Sequence, residues 1–242
     1  MAPSLTDAVY DELRRSLFCG RLRAGQVLRL RPLADRLGTS VQPVRDAMQR
    51  LVAEGALEAA MNRDIRVRSL SRESLVEIYR IRLLLEGEAT AMAAATGEAD
   101  LAALEAAIAA MVRASADADT AAYSEANFDF HFRIYSAARS THLMPLIETL
   151  WLKVGPMLDI GAAGRTRAET RMFEGQDAHR GLLSALRRHD PVAARARLEE
   201  DLCRARDWFL AHQDFPESDR PAAVRPLGTP DDRVSADRRQ DG

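Results

Sequence analysis

The chain has 242 residues, of which 47% are hydrophobic but only 5% aromatic. Alanine, the strongest helix former, supplies much of the apolar content, so the balance predicts a mainly helical protein with one large core or two smaller ones. Net charge is −2, no apolar run approaches the ~20 residues of a membrane span, and the opening MAPSLTDAVYDELRR lacks the parts of a secretory signal, so a soluble cytoplasmic protein is expected.

The first predicted element is a helix over residues 4 to 19, capped by Ser4, with Leu5, Val9, Leu13 and Leu17 repeating at fours. Gly20 and Gly25 bracket a loop. A short helix follows from Arg31 to Leu37 and ends at Gly38. Ser40 then stands in capping position for a third helix, in which Val44, Ala47, Met48 and Leu51 share one face and Glu54-Gly55 mark the stop. Two short alternating stretches, Ala56–Ala60 and Ile65–Arg68, flank the polar turn Asn62-Arg63-Asp64. Helix, short helix, tight turn, helix and small hairpin is the order of a winged helix-turn-helix.

Six amphipathic runs come next: from Ser71 to Ala95, Ala99 to Ala116, Thr120 to Ala138, His142 to Leu158, Ala168 to Arg188 and Pro191 to Gln213. Asp190-Pro191 places proline at a first helical position, where its missing N–H costs nothing. Without strand signals, these runs predict an all-α helical bundle. The apolar stripe of the fourth run, Leu143, Met144, Leu146, Ile147, Leu150 and Trp151, reads as core or dimer interface. Residues 214–242, rich in proline and charge, read as a disordered tail. The expected division is therefore residues 1–70, 71–213 and 214–242. Cys19 and Cys203 are too few and too far apart for a disulfide framework or a zinc finger.

Charge is uneven along the chain. Residues 1–70 hold twelve arginines against eight acids, a surplus of four, which leaves the remainder at −6. A basic reading head on an acidic body is the pattern expected of a DNA-binding protein. Within the head, Leu33-Ala34-Asp35-Arg36-Leu37-Gly38-Thr39-Ser40-Val41-Gln42-Pro43-Val44-Arg45-Asp46-Ala47-Met48 is the most informative stretch. A helix of this kind enters the major groove N-terminus first, its free amides favouring phosphate and its first side chains reaching base edges. Ser40 and Gln42 have suitable length and hydrogen-bonding groups, and Arg45, one turn later, could grip guanine or a phosphate.

The stretch, with its continuation through Leu51, Glu54-Gly55 and the wing, resembles the helix-turn-helix of GntR-family transcriptional regulators over residues 5–70. The resemblance implies double-stranded operator DNA as partner and Arg31, Ser40, Val41, Gln42, Pro43, Arg45 and Arg63 as its contacts. Two departures bear on the operator. Val41 stands where the family commonly has arginine and offers only apolar contact; Asp64 stands where the wing usually has glycine.

Further along, Leu70-Ser71-Arg72-Glu73 through Glu86 resembles the opening of the FCD ligand-binding domain of the FadR-type branch. Asn127-Phe128-Asp129-Phe130-His131 resembles that domain's Asp/Asn-x-x-Phe-His box, His179 matches its next histidine, and Asp201 falls where a further histidine usually stands. Six body helices resemble the VanR-like subgroup more than the seven-helix FadR-like form. Independently of the family, Asn127 and His131 lie four apart on one helix face, and His179 and Asp201 lie on later helices that a bundle can bring opposite. Two imidazoles, a carboxylate and an amide oxygen suit zinc, nickel or manganese. Separately, His179 also reads as a core hydrogen-bonding histidine and Asp201 as a solvated charge.

Arg82 sits in the apolar stretch Ile81 to Leu85 and needs a partner if buried: Glu86 at the next turn, or the carboxylate of a small-acid effector. The family commonly responds to small organic acids, and Arg133, Tyr135, Arg167 and Arg171 are further effector candidates. The reading is a homodimeric, ligand-responsive regulator, by family habit a repressor, without an organic cofactor or a membrane partner. Two rivals stand beside it: a helical metal-dependent hydrolase, although no base at metal-ligand spacing, nucleophile elbow, phosphate loop or HExxH motif is visible; and a DNA-binding dimer that senses nothing.

Overall fold

In a computed structural model of the chain, residues 4–59, 64–158 and 177–217 are described. Helix α1 (Leu5–Phe18) starts where the Ser4 hydroxyl accepts from the Asp7 amide, and it buries Val9, Leu13 and Leu17 at the spacing of one helical face. Helix α2 spans Leu30–Arg36 and α3 spans Val41–Ala53. The turn between them passes through Gly38 at φ +62°, a left-handed conformation that side chains resist. Val44, Ala47, Met48 and Leu51 are the buried face of α3, as their spacing predicts.

The hairpin is present as β2 (Leu57–Ala59) and β3 (Ile65–Val67), antiparallel with Glu58 opposite Arg66. A strand the sequence does not announce, β1 (Val27–Leu28), pairs with the other edge of β3. Two residues are too short to show alternation; what makes them a strand is the open edge that β3 offers. The sheet order is β1-β3-β2.

Six α-helices follow among the described residues: α4 (Arg72–Thr96), α5 (Leu101–Ala116), α6 (Thr120–Ala137), α7 (Leu143–Val154), α8 (Asp177–Arg187) and α9 (Pro191–His212), with a 3-10 turn at Gly155–Met157. Four are capped by the short polar residue before them: Ser71, Asp100, Asp119 and Asp190 each accept from the amide three residues on. The long α4 is the axis of the bundle, packed against α9, α6 and α7. The fold is mainly α, a winged helix-turn-helix head followed by a helical bundle. Of the predicted run from Ala168 to Arg188, only α8 falls within the described residues. Asn62 and Arg63, Gly161–Gly164, Arg167, Arg171 and the tail beyond residue 217 lie outside them.

Head and body are in contact. Helix α1 packs on α7 and the 3-10 turn. The approach is so close that a Cβ on Gly155 would meet the Leu17 carbonyl oxygen at 2.4 Å. Phe18 stacks on Phe128 of α6 with ring centres 5.2 Å apart.

Candidate DNA-reading face and buried metal-ligand cluster

On α3, Ser40, Gln42, Arg45, Asp46 and Gln49 are exposed, opposite the buried face. Ser40 occupies the N-cap position but makes no side-chain cap bond. Its hydroxyl and the amides of Val41 and Gln42, which a helix start leaves unpaired, are available to an outside acceptor; Pro43 adds no donor. Gln42 Nε2 donates to Asp46 Oδ1 at 2.8 Å, aligning its amide along the exposed face. Val41 is half-buried and packs on the head's core, which explains an apolar residue where a base-reading one is expected.

The arginines of the head divide by use. Arg14 pairs with Glu148 at 2.6 Å, and Arg15 pairs with Glu125 at 2.5 Å and Asp129 at 3.1 Å. Arg21 bonds Glu125 as well, so three cations bind the head to α6 and α7 of the body. Arg50 lies over the Tyr10 ring at 3.7 Å and helps pack α3 on α1. By contrast, the side chains of Arg29, Arg31, Arg36, Arg45 and Arg66 are exposed and make no hydrogen bond or ion pair with another described residue. Arg29, Arg45 and Gln49 line one hollow between α3 and the wing, which Asp64 also borders. Arg29, Arg36, Gln49 and Arg66 are candidates that motif reading missed; only the spacing of Gln49, four after Arg45, could have pointed to one of them.

In the body, Asn127, His131, His179 and Asp201 line one cavity of about 60 Å³, together with Tyr79, Arg82, Ser124, Trp151 and Arg204. The four predicted ligands are therefore brought together by α6, α8 and α9. His131 Nε2 stands 3.4 Å from Asp201 Oδ2, and His179 Nε2 stands 3.8 Å from the same oxygen. Two atoms held about 2.1 Å from one ion at tetrahedral angles lie about 3.4 Å apart, so this spacing fits a shared divalent cation.

His179 is 4% exposed, and neither of its ring nitrogens has a hydrogen-bond partner among the described residues. Burial pushes its pKa down to about 4 against the opposing pull of Asp201, leaving the ring in the neutral form that ligates metals. For Asp201, burial alone would raise the pKa; the neighbouring His179 and His131 outweigh it and hold the carboxyl below the usual carboxylate range. A buried imidazole with both nitrogens unsatisfied is costly, and an ion at this place would remove the cost. The residues fit a metal. Asn127, half-buried on the same cavity, is the remaining oxygen donor.

The effector candidates fare differently. Arg82 borders the cavity but is 3% exposed and engaged: its Nε donates to Glu86 Oε1 at 2.5 Å and its Nη2 to Oε2 at 3.2 Å. Its guanidinium also lies 4.8 Å from the ring centres of Tyr79 and Trp151. Burial alone would lower its pKa, but the Glu86 carboxylate more than offsets that and keeps the charge. The fork that would clamp an acid is thus already filled by Glu86. Tyr135 lies behind the cavity, its hydroxyl donating to Glu86 Oε2 at 2.5 Å. Arg133 is exposed on another face of α6 and borders a separate hollow with Glu98, Asp100 and Arg139. Helical periodicity carries Arg133 two residues off the His131 face, which is why proximity in sequence misleads here. No helix among the described residues is long and apolar enough to cross a membrane.

A winged-helix head with a polar recognition face, set on a helical bundle with a polar cavity, defines a helix-turn-helix regulator. Residues 5–67 match the family described as bacterial regulatory proteins, gntR family, and residues 77–203 match the FCD domain. The transcriptional regulator McbR of Escherichia coli K12 is 34% identical over 198 residues, covering 81% of this chain and 89% of McbR. The "Probable D-xylose utilization operon transcriptional repressor" of Paenarthrobacter nicotinovorans is 29% identical over 191 residues, covering 79% of this chain and 82% of that protein. The solved structure of E. coli McbR/YncC superposes with a TM-score of 0.78 at 30% identity, covering 88% of this chain and all of that one. The chain belongs to the GntR family of transcriptional regulators, with an FCD domain.

Proposed function

We propose that the protein is a DNA-binding repressor whose hold on its operator responds to a small oxygen-rich ligand at a divalent metal in the FCD cavity. The observation that carries the reading is the partition of charge among the described residues: five exposed arginines of the head that pair with no described residue, and a buried, unsatisfied His179 beside His131 and Asp201 in the body. Residues 1–70 would read DNA and residues 71–213 would sense and dimerise. The body would take the VanR-like arrangement, of which six α-helices lie among the described residues.

On the head, Ser40, Gln42, Arg45 and Gln49 would reach base edges while Arg29, Arg31, Arg36 and Arg66 engage phosphates. One head makes few phosphate contacts, so two copies joined through their bodies would set two recognition helices about one DNA turn apart. In the body, His131, His179, Asp201 and Asn127 would hold zinc, nickel or manganese, which supplies Lewis acidity and open positions for an oxygen ligand. Because Glu86 occupies Arg82, recognition of an acid would fall to the metal and to Ser124 and Asn127 at the cavity wall.

Helices α6 and α7 carry cavity residues His131 and Trp151 on one side and the contacts to Arg14, Arg15 and Phe18 on another. A ligand with different affinity for two arrangements of these helices would thereby shift the placement of the heads. The relative named as a repressor supports that sign of regulation. Fluorescence anisotropy on DNA from upstream of the protein's own gene tests the reading, with and without Zn²⁺ and a panel of small carboxylic acids. Saturable binding in excess of scrambled DNA, altered by one acid only when metal is present, is expected. Equal affinity for scrambled DNA would overturn the DNA-reading assignment, and indifference to metal and acids would overturn sensing.

A further inference from the structure

A chain of buried polar groups runs behind the metal-ligand cluster. Arg82 donates to both oxygens of Glu86. Tyr135 Oη is 2.5 Å from Glu86 Oε2 and 3.3 Å from His131 Nδ1, and the other ring nitrogen of His131 stands 3.4 Å from Asp201 Oδ2. All of Arg82, Glu86, Tyr135 and His131 are buried.

The phenol has one proton to give. It goes to the nearer and anionic acceptor, Glu86. The Tyr135 oxygen then faces His131 with lone pairs only, and the bond at 3.3 Å forms only if His131 Nδ1 is the donor.

We propose that Tyr135, oriented by Glu86 and Arg82, is a positioning residue that accepts the Nδ1–H of His131 and so aims its Nε2 into the cleft shared with His179 and Asp201. The inference deepens the metal-binding reading and rests on it for its purpose. The Asp201 carboxylate, 3.4 Å from Nε2, is the competing acceptor for the ring proton, and a cation held between Nε2, Asp201 and the bare His179 ring removes that competition. A partner on the far ring nitrogen that fixes tautomer and raises basicity is how metal-ligating histidines are generally supported. Here the support is a tyrosine backed by a carboxylate whose own charge is balanced by Arg82, so no net anion is added to the pocket.

Long-range ¹H–¹⁵N spectra of the metal-free full-length chain at pH 8 read the tautomer directly. His131 should show a protonated Nδ1 and a bare Nε2, and Tyr135→Phe should shift it toward the Nε2–H form. A wild-type ring protonated at Nε2, or a Tyr135→Phe ring unchanged from wild type, overturns the proposal. Competition with a chelator for Zn²⁺ gives the second arm: Tyr135→Phe and Glu86→Gln should each weaken the Zn²⁺ dissociation constant about 10- to 100-fold with the far-UV spectrum retained. A constant within twofold of wild type in both folded variants overturns it equally. If wild type holds no Zn²⁺ at all, the metal reading fails, while the spectra of the metal-free chain still decide the tautomer.

Discussion

The exposed face of α3 and the buried cavity of the body are both polar, yet they treat charge in opposite ways. On the head, Arg29, Arg31, Arg36, Arg45 and Arg66 stand in water without a partner among the described residues. In the cavity, Arg82 is satisfied twice by Glu86, Glu86 again by Tyr135, and Tyr135 contacts His131. The contrast is set by the solvent. A guanidinium in water loses little by waiting for a phosphate, whereas one taken out of water requires a partner in place. His179, buried and without a hydrogen bond among the described residues, breaks that rule in the body and is therefore where an external group is most needed.

The comparison can be broken at four places, and the largest effect is expected at the most buried. Glu86→Ala strands Arg82 in the bundle and should cost about 3–5 kcal/mol of unfolding free energy, read from urea titration. A loss below about 1 kcal/mol would mean that Arg82 is not confined as the structure shows. Next comes metal: Zn²⁺ at a hundred times its dissociation constant should add about 2.7 kcal/mol of stability, and His179→Ala should abolish that gain in a thermal-shift series. Retention of the full shift in His179→Ala would remove this residue from the ligand set. On the exposed side, Arg45→Ala should weaken operator binding by about 1–3 kcal/mol while leaving the melting temperature unmoved. Equal loss on operator and scrambled DNA would reassign Arg45 from base to phosphate. Smallest of all, Arg15→Gln removes a partly exposed pair with Glu125 and Asp129 and should change stability by about 0–1 kcal/mol, diminishing further in high salt.

Much of this was legible from spacing alone. The caps Ser4, Ser71 and Asp190, the buried face of α3 and the order of helices in the head follow from rules that operate within a turn or two of chain. The four proposed ligands could be named in advance because Asn127 and His131 share a helical face and the family pattern supplied His179 and Asp201; the structure shows that all four border one cavity. Residues whose role depends on a distant partner were not legible in this way. Strand β1 exists because β3 has a second edge. Glu125 and Asp129 meet Arg15 across more than a hundred residues of chain. Tyr135 and Arg133 look alike as neighbours of His131, and only packing sends one behind the cavity and the other to the surface.

Local chemistry by itself therefore determined what each segment would become: a basic winged head, a run of amphipathic helices, and donor atoms at metal-ligand spacing. Which donors face one another, which arginines remain unpaired and which carboxylate claims Arg82 were decided only when the helices packed. Those outcomes depend on which groups lose contact with water, and that is a property of the assembled bundle rather than of any stretch of chain.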